Sequence, residues 1–187
     1  MALLYFYDAE TAGDVPEELI AQFPASYRTR YRDANVETVR MQAVGSALLM
    51  KEHFGVTSDE QLARGEHGQL RVRDDPRHLC LSHSGPVSVL AIDEGPVGVD
   101  LEHIHETSEP TVRRLFPPSF RTELEGREDE ERDETFTRLW TRLEAALKAD
   151  GRGLSAPRED FEDILSRYDI QTEKIGDYYV SVATPAS

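Results

Sequence analysis

The stretch Pro96-Val97-Gly98-Val99-Asp100-Leu101-Glu102 constrains the chain more than any other, because an apolar run ends there in two carboxylates one residue apart. Side chains of a β-strand alternate between its faces, so Asp100 and Glu102 share one face while Val97, Val99 and Leu101 take the other. Two acids in one pocket repel, and one pKa rises unless a cation sits between them. A hard cation such as Mg2+ accepts carboxylate oxygens. The pattern therefore directs attention to a third acid and to basic groups able to hold a phosphate.

The 187 residues suffice for one large domain or two small halves with a real core. A single cysteine, Cys80, excludes an internal disulfide and suits a reducing compartment, with Cys80 expected in the core. The opening Met1-Ala2-Leu3-Leu4-Tyr5-Phe6-Tyr7-Asp8 has no basic leader and is too short for a signal peptide or membrane span. A soluble, non-secreted, cytoplasmic protein is the expectation. The net charge of -15 argues against general binding to nucleic acid or an anionic membrane, so any anion site must be a local basic pocket. Arg28, Arg30, Arg32 and Arg40 cluster early, whereas Glu123 to Glu134 is dense in acid.

In chain order, Leu3 to Tyr7 reads as a first strand, buried on nearly both faces, and Pro16 to Phe23 as a short helix with proline and acids in its first turn. Ser26 to Asp33 alternates basic residues with aromatics ahead of a long helix from about Val36 to Phe54. Val36, Val39, Ala43, Val44, Ala47 and Leu48 form its apolar stripe, and Gly55 stands at its stop. A short helix is expected near Ser58 to Ala63 and a short strand around Leu70. His78 to Gly85, Val87 to Ile92 and Val97 to Leu101 read as adjacent antiparallel strands joined by tight turns. Short helical pieces such as Thr111 to Phe116 follow. The acidic run reads as a solvated surface or loop. Phe136, Leu139, Trp140, Leu143, Ala146 and Leu147 mark a second long helix ending at Gly151-Arg152-Gly153, with Glu144 and Lys148 on one face. Ile164 to Ile170 and Tyr178 to Thr184 read as two closing strands.

Two other constellations compete for the chemistry. Ser82-His83-Ser84 invites a hydrolase reading, but neighbours on a strand face opposite ways and the Gly-x-Ser-x-Gly elbow is absent. His103 and His105 with Asp100 and Glu102 have the donors of a transition-metal site, yet the histidines would point away from the acids if the strand continued.

Three stretches read together resemble, in order and spacing, the signatures of Sfp-type 4'-phosphopantetheinyl transferases. They are Leu81-Ser82-His83-Ser84-Gly85, then Val97 to Glu102, then Leu139 to Ser155. The last is similar to a Trp-x-x-Lys-Glu-(Ala/Ser)-x-x-Lys pattern followed by Gly-x-Gly at all but one named position. The resemblance covers Leu79 to Ser155, and more loosely Arg28 to Leu49. It implies an α+β fold built as a pseudo-two-fold pair of similar halves, residues 1–92 and 93–187, each a small antiparallel sheet packed on a long helix, together forming one compact monomer. It implies transfer of the phosphopantetheine arm of coenzyme A to a serine of an apo acyl or peptidyl carrier protein, with release of adenosine 3',5'-bisphosphate. Asp100, Glu102 and Glu144 would be Mg2+ ligands, and Lys148 would meet the coenzyme A phosphates. Ser82 and His83 would contact the nucleotide, and Arg28, Arg30 and Arg32 are candidates for its 3'-phosphate. An acidic carrier would meet a basic patch, for which Arg113, Arg114 and Arg121 are candidates.

The chain departs from the family pattern at three places. Leu143 and Gln69 stand where lysines are usual, and Phe120 falls near a glutamate proposed as the base, whose part a water or Glu123 could take. The second reading these departures support is a binding module for coenzyme A or a carrier protein that has lost turnover.

Overall fold

The computed structural model describes residues 1–186. Strand β1 (Leu3–Asp8) leads through two single-turn helices, α1 (Ala9–Ala12) and α2 (Glu17–Ile20), to α3 (Ala25–Asp33) and the long α4 (Glu37–Phe54). A small hairpin, β2 (Leu62–Arg64) with β3 (Leu70–Val72), precedes the hairpin of β4 (His78–Ser84) and β5 (Val87–Asp93). Strand β6 (Gly98–His103) opens the second part, followed by α5 (Glu109–Leu115), α6 (Pro118–Leu124) and α7 (Asp129–Asp150). Helix α8 (Phe161–Ser166) and the hairpin of β7 (Tyr168–Ile175) and β8 (Tyr178–Pro185) complete it.

The same plan is used twice. The first sheet has the order β1-β5-β4 and the second β6-β8-β7, all antiparallel. In each, the first strand is separated from the closing hairpin by one long helix, α4 or α7, and the first and last strands pair. Both long helices stop at a glycine in the left-handed region, Gly55 and Gly151, where any other residue would strain.

Leu90 and Ile92 of β5 pack with Leu49 and Met50 of α4. A second cluster joins Val112, Phe116 and Phe120 of α5 and α6 to Phe136, Leu139 and Leu143 of α7. Between the sheets, Val89 and Ala91 of β5 share one cluster with Val99 and Leu101 of β6 and Val180 of β8.

Several expectations from sequence are corrected. Strand β6 does not pair with β5; its partner is the C-terminal β8, because the polar turn at Asp93-Glu94-Gly95 carries the chain to a new sheet instead of closing a hairpin. Strand β1 is an edge strand, leaving Leu3 and Phe6 exposed rather than buried. The alternating basic and aromatic residues of 25–33 form a helix of their own, α3. Ile164 lies in helix α8, its side chain fully buried, and the strand expected there starts only at Tyr168. Helix α7 begins at Asp129, so much of the acidic run is its first turns, where carboxylates complement the positive end of the helix.

Candidate active site

Strands β4 and β6 are the facing edges of the two sheets, and serines join them. Ser82 Oγ donates to Asp100 Oδ1 at 2.8 Å and accepts from the Leu101 amide at 3.3 Å. Two residues on, Ser84 Oγ donates to Glu102 Oε2 at 3.1 Å and accepts from the His103 amide at 3.0 Å. The period of two therefore places Asp100 and Glu102 on one face, each held by a serine of the neighbouring sheet. Glu144 reaches the same place from α7. The approach of that helix depends on Gly98, since a methyl group there would lie 2.0 Å from the Ala145 carbonyl oxygen and 2.5 Å from the Ala149 nitrogen.

Lys148, one turn after Glu144, is the cation of this cluster. Its Nζ lies 2.6 Å from Asp100 Oδ1 and 3.7 Å from Glu144 Oε2, and donates to Ser82 Oγ at 3.3 Å. Burial pushes the Glu144 carboxyl up to about 7, with Asp100 and Glu102 adding to the rise against the opposing pull of Lys148. Burial and Asp100 likewise raise Glu102, against the hydrogen bond from Ser84. Burial works to lower the Lys148 ammonium, but the carboxylates around it prevail and hold it above the ordinary lysine value.

These residues suit a divalent ion in their chemistry. Two carboxylates pair with one ammonium, Glu102 lies two residues further along the same strand face, and Asp100 Oδ2 is buried without a hydrogen-bond partner, a costly arrangement unless that oxygen meets a ligand. Among the described residues no three carboxylate, imidazole or thiol groups are already drawn into a cage, so seating an ion there takes side-chain rotations.

Lys148 also lines a cleft of about 620 Å³ whose walls come from both parts of the chain. Arg30, Arg64, Arg71, His67, His78 and His83 line it, with Asp150 as the one acid; Asp150 is occupied by Arg152 and Arg167. Arg30 Nη2 lies 3.3 Å from Nε2 of His83, a contact that needs that nitrogen unprotonated. In keeping with it, burial and the charge of Arg30 lower the His83 pKa, and burial and Arg71 lower that of His78. The result is a cationic cleft in a chain of net charge -15, suited to a ligand carrying several negative charges.

Of the expected residues, the structure joins Asp100 and Glu144 through Lys148, sets Glu102 on the same strand face as Asp100, and places Arg30 and His83 in the adjoining cleft. Arg28 and Arg32 do not reach it: Arg28 donates to the Ala21 carbonyl and Arg32 to Asp33. Positions two apart on a helix lie about 200° around it, so only Arg30 shares the cleft face with Ser26 and Tyr27, four and three residues before. Ser82 is buried behind the cleft, bound to Asp100 and Lys148. Leu143 and Phe120 lie in the α5–α6–α7 core, so neither departure removes a group from the cleft. Glu123 is paired with Arg138 on the surface. His103 and His105 are exposed, each ring turned to the backbone carbonyl of the next residue. Sequence reasoning missed Arg64, His67, Arg71 and His78. The closely spaced glycines Gly65 and Gly68 were the available signal for a hairpin presenting them.

Residues 96–183, which carry the carboxylates and Lys148, match the 4'-phosphopantetheinyl transferase superfamily. That match covers just under half of the chain. It is 31% identical over 105 residues to 4'-phosphopantetheinyl transferase Sfp of Bacillus subtilis, an alignment covering 56% of this chain and 47% of that one. It is 33% identical over 113 residues to 4'-phosphopantetheinyl transferase psf-1 of Bacillus pumilus, covering 60% and 48%. The chain thus spans about half the length of these Bacillus relatives. Against 4'-phosphopantetheinyl transferase AcpT of Salmonella typhimurium the identity is 29% over 145 residues, covering 75% and 69%. The repeated sheet-and-helix plan is consistent with the superfamily's fold. No helix among the described residues is long and apolar enough to cross a membrane.

Proposed function

We propose that this protein transfers the 4'-phosphopantetheine arm of coenzyme A to a serine of an apo acyl or peptidyl carrier protein, in a Mg2+-dependent reaction. The observation that carries the reading is Lys148, which belongs at once to the cationic cleft and to the carboxylate cluster. A pyrophosphate bound along the cleft would have one end beside Lys148 and the carboxylates. Arg30, Arg64, Arg71 and His83 would hold the remaining negative charge. The carrier serine oxygen forms a bond to the phosphorus that bears pantetheine, the bridging P–O bond breaks, adenosine 3',5'-bisphosphate leaves with that oxygen, and the serine proton passes to water. Bound by Asp100, Glu102 and Glu144, Mg2+ would supply charge neutralisation at the pyrophosphate oxygens. Lys148 orients the same group and lowers the cost of charge on the departing phosphate.

We assign residues 1–92 and 93–187 to the two halves of the pseudo-two-fold, Ser187 lying outside the described residues. We take the protein to be a cytoplasmic monomer that binds neither nucleic acid nor membrane. The exposed Arg113, Arg114 and Arg121 on α5 and α6 are the surface we assign to an acidic carrier. The test is incubation with coenzyme A, Mg2+ and a panel of apo carrier proteins, read by mass spectrometry. One phosphopantetheine added to a carrier is expected. Tight coenzyme A binding with no addition to any of them would favour the binding module instead.

A further inference from the structure

The β2–β3 hairpin brings Arg64, His67 and Arg71 to the cleft, yet it belongs to neither main sheet. Its strands are three residues each, and its turn is closed by the Gly65 amide donating to the Gln69 carbonyl at 2.8 Å and the Gly68 amide to the Gly65 carbonyl at 2.9 Å. A ribbon this short has little stability of its own, so its position depends on what touches it. At its base Val72 is buried, with Leu62 and Leu70 packed alongside, in the cluster of Leu49, Met50 and Leu79. At its tip the contact is the Gln69 side chain. A methyl group built on Gly151 would fall 1.8 Å from Gln69 Nε2, and one built on Gly65 would fall 2.8 Å from Oε1. The amide therefore lies between two residues without side chains, one in the hairpin and the other the left-handed cap of α7, three residues beyond Lys148.

We propose that Gln69 is a positioning residue: seated between Gly65 and Gly151, its amide ties the hairpin to the end of α7 and holds Arg64, His67 and Arg71 in register with Lys148 for one polyanionic ligand. This rests on the reading of the cleft as the coenzyme A site. A residue that only organises the binding groups contributes before the chemical step, so Gln69→Ala should raise Kd and KM for coenzyme A about five- to tenfold and leave kcat within about twofold. Amide exchange across residues 62–72 should accelerate with the melting temperature unchanged. Gly151→Ala pushes the same amide out from the other side, so the double variant should bind coenzyme A no more weakly than Gly151→Ala alone.

Calorimetry with coenzyme A, transfer kinetics with an accepted carrier protein and hydrogen exchange on the full chain read these outcomes. Unchanged coenzyme A affinity in Gln69→Ala, or unchanged exchange across 62–72, overturns the proposal and leaves the cleft reading intact. If the wild type binds no coenzyme A, the cleft reading fails, and hydrogen exchange alone then decides whether Gln69 holds the hairpin.

Discussion

Asp100 spends its two oxygens unequally: Oδ1 takes Ser82 and Lys148, whereas Oδ2 is buried with no partner. A lone buried acceptor costs about 1–3 kcal/mol, so its retention points to a ligand rather than to stability. Asp100→Asn keeps the shape, removes the charge and deprives Lys148 of its nearest carboxylate. Transfer should fall by about two to three orders of magnitude, with only about 1–3 kcal/mol lost from folding because Lys148 keeps Glu144. A rate within tenfold of wild type would remove Asp100 from the site. His83 gives a pH prediction. Arg30 and Lys148 face it with Asp100 opposing, and burial with the two cations lowers its pKa from the ordinary 6.5, so in the free protein it is neutral at pH 7. Folding thus disfavours its protonation, and the free protein loses stability as pH falls below about 6.5. A bound polyanion favours the imidazolium, so coenzyme A binding should take up a proton at pH values below the ordinary histidine range and tighten as pH falls. Calorimetry in two buffers of different ionisation heat reads that proton. It should vanish in His83→Gln, and no uptake in the wild type would refute the coupling.

At the level of elements, the site depends on strand β6 lying backbone to backbone against α7. The groups a methyl on Gly98 would strike are main-chain atoms of Ala145 and Ala149, which cannot swing aside. Gly98→Ala should therefore cost about 2–4 kcal/mol and separate Asp100 from Lys148, read as a lower denaturation midpoint together with lost transfer. A shift below about 0.5 kcal/mol would show that the two elements move apart freely. These elements differ in how far the sequence announced them. Helices α4 and α7 carry apolar residues at helical spacing and stop at glycines, signals that are local in the chain. The shared face of Asp100 and Glu102 likewise follows from alternation over three residues. The partner of β6 is beyond local pattern, because a turn such as Asp93-Glu94-Gly95 shows that the chain bends but not which strand it meets 80 residues later. The β2–β3 hairpin has strands too short to show a period, so Arg64 and Arg71 looked like any other surface arginine. Arg28, Arg30 and Arg32 alternate with aromatics at a period that hides the helix, and only helical geometry separates the one that faces the cleft from the two that do not.

For the whole molecule, the question is whether the two repeated units behave as one. Their sheets meet along β4 and β6, where Ser82 and Ser84 each bond a carboxylate and a backbone amide of the opposite unit. Beneath that seam Val89 and Ala91 from one unit share a core with Val97, Val99, Leu101 and Val180 from the other. Neither sheet can leave without exposing this apolar layer and breaking those four hydrogen bonds, so opening one unit alone carries most of the cost of opening both. Calorimetry should therefore show a single unfolding transition whose calorimetric and van't Hoff enthalpies agree. A ligand spanning the cleft binds only the joined state, so coenzyme A at about 100 times its Kd should add about 2.7 kcal/mol and raise the melting temperature by about 5–10 °C without splitting the transition. Two separated transitions, or a shift by coenzyme A confined to one of them, would mean that the cleft is not shared and that Lys148 and Arg30 do not serve one ligand.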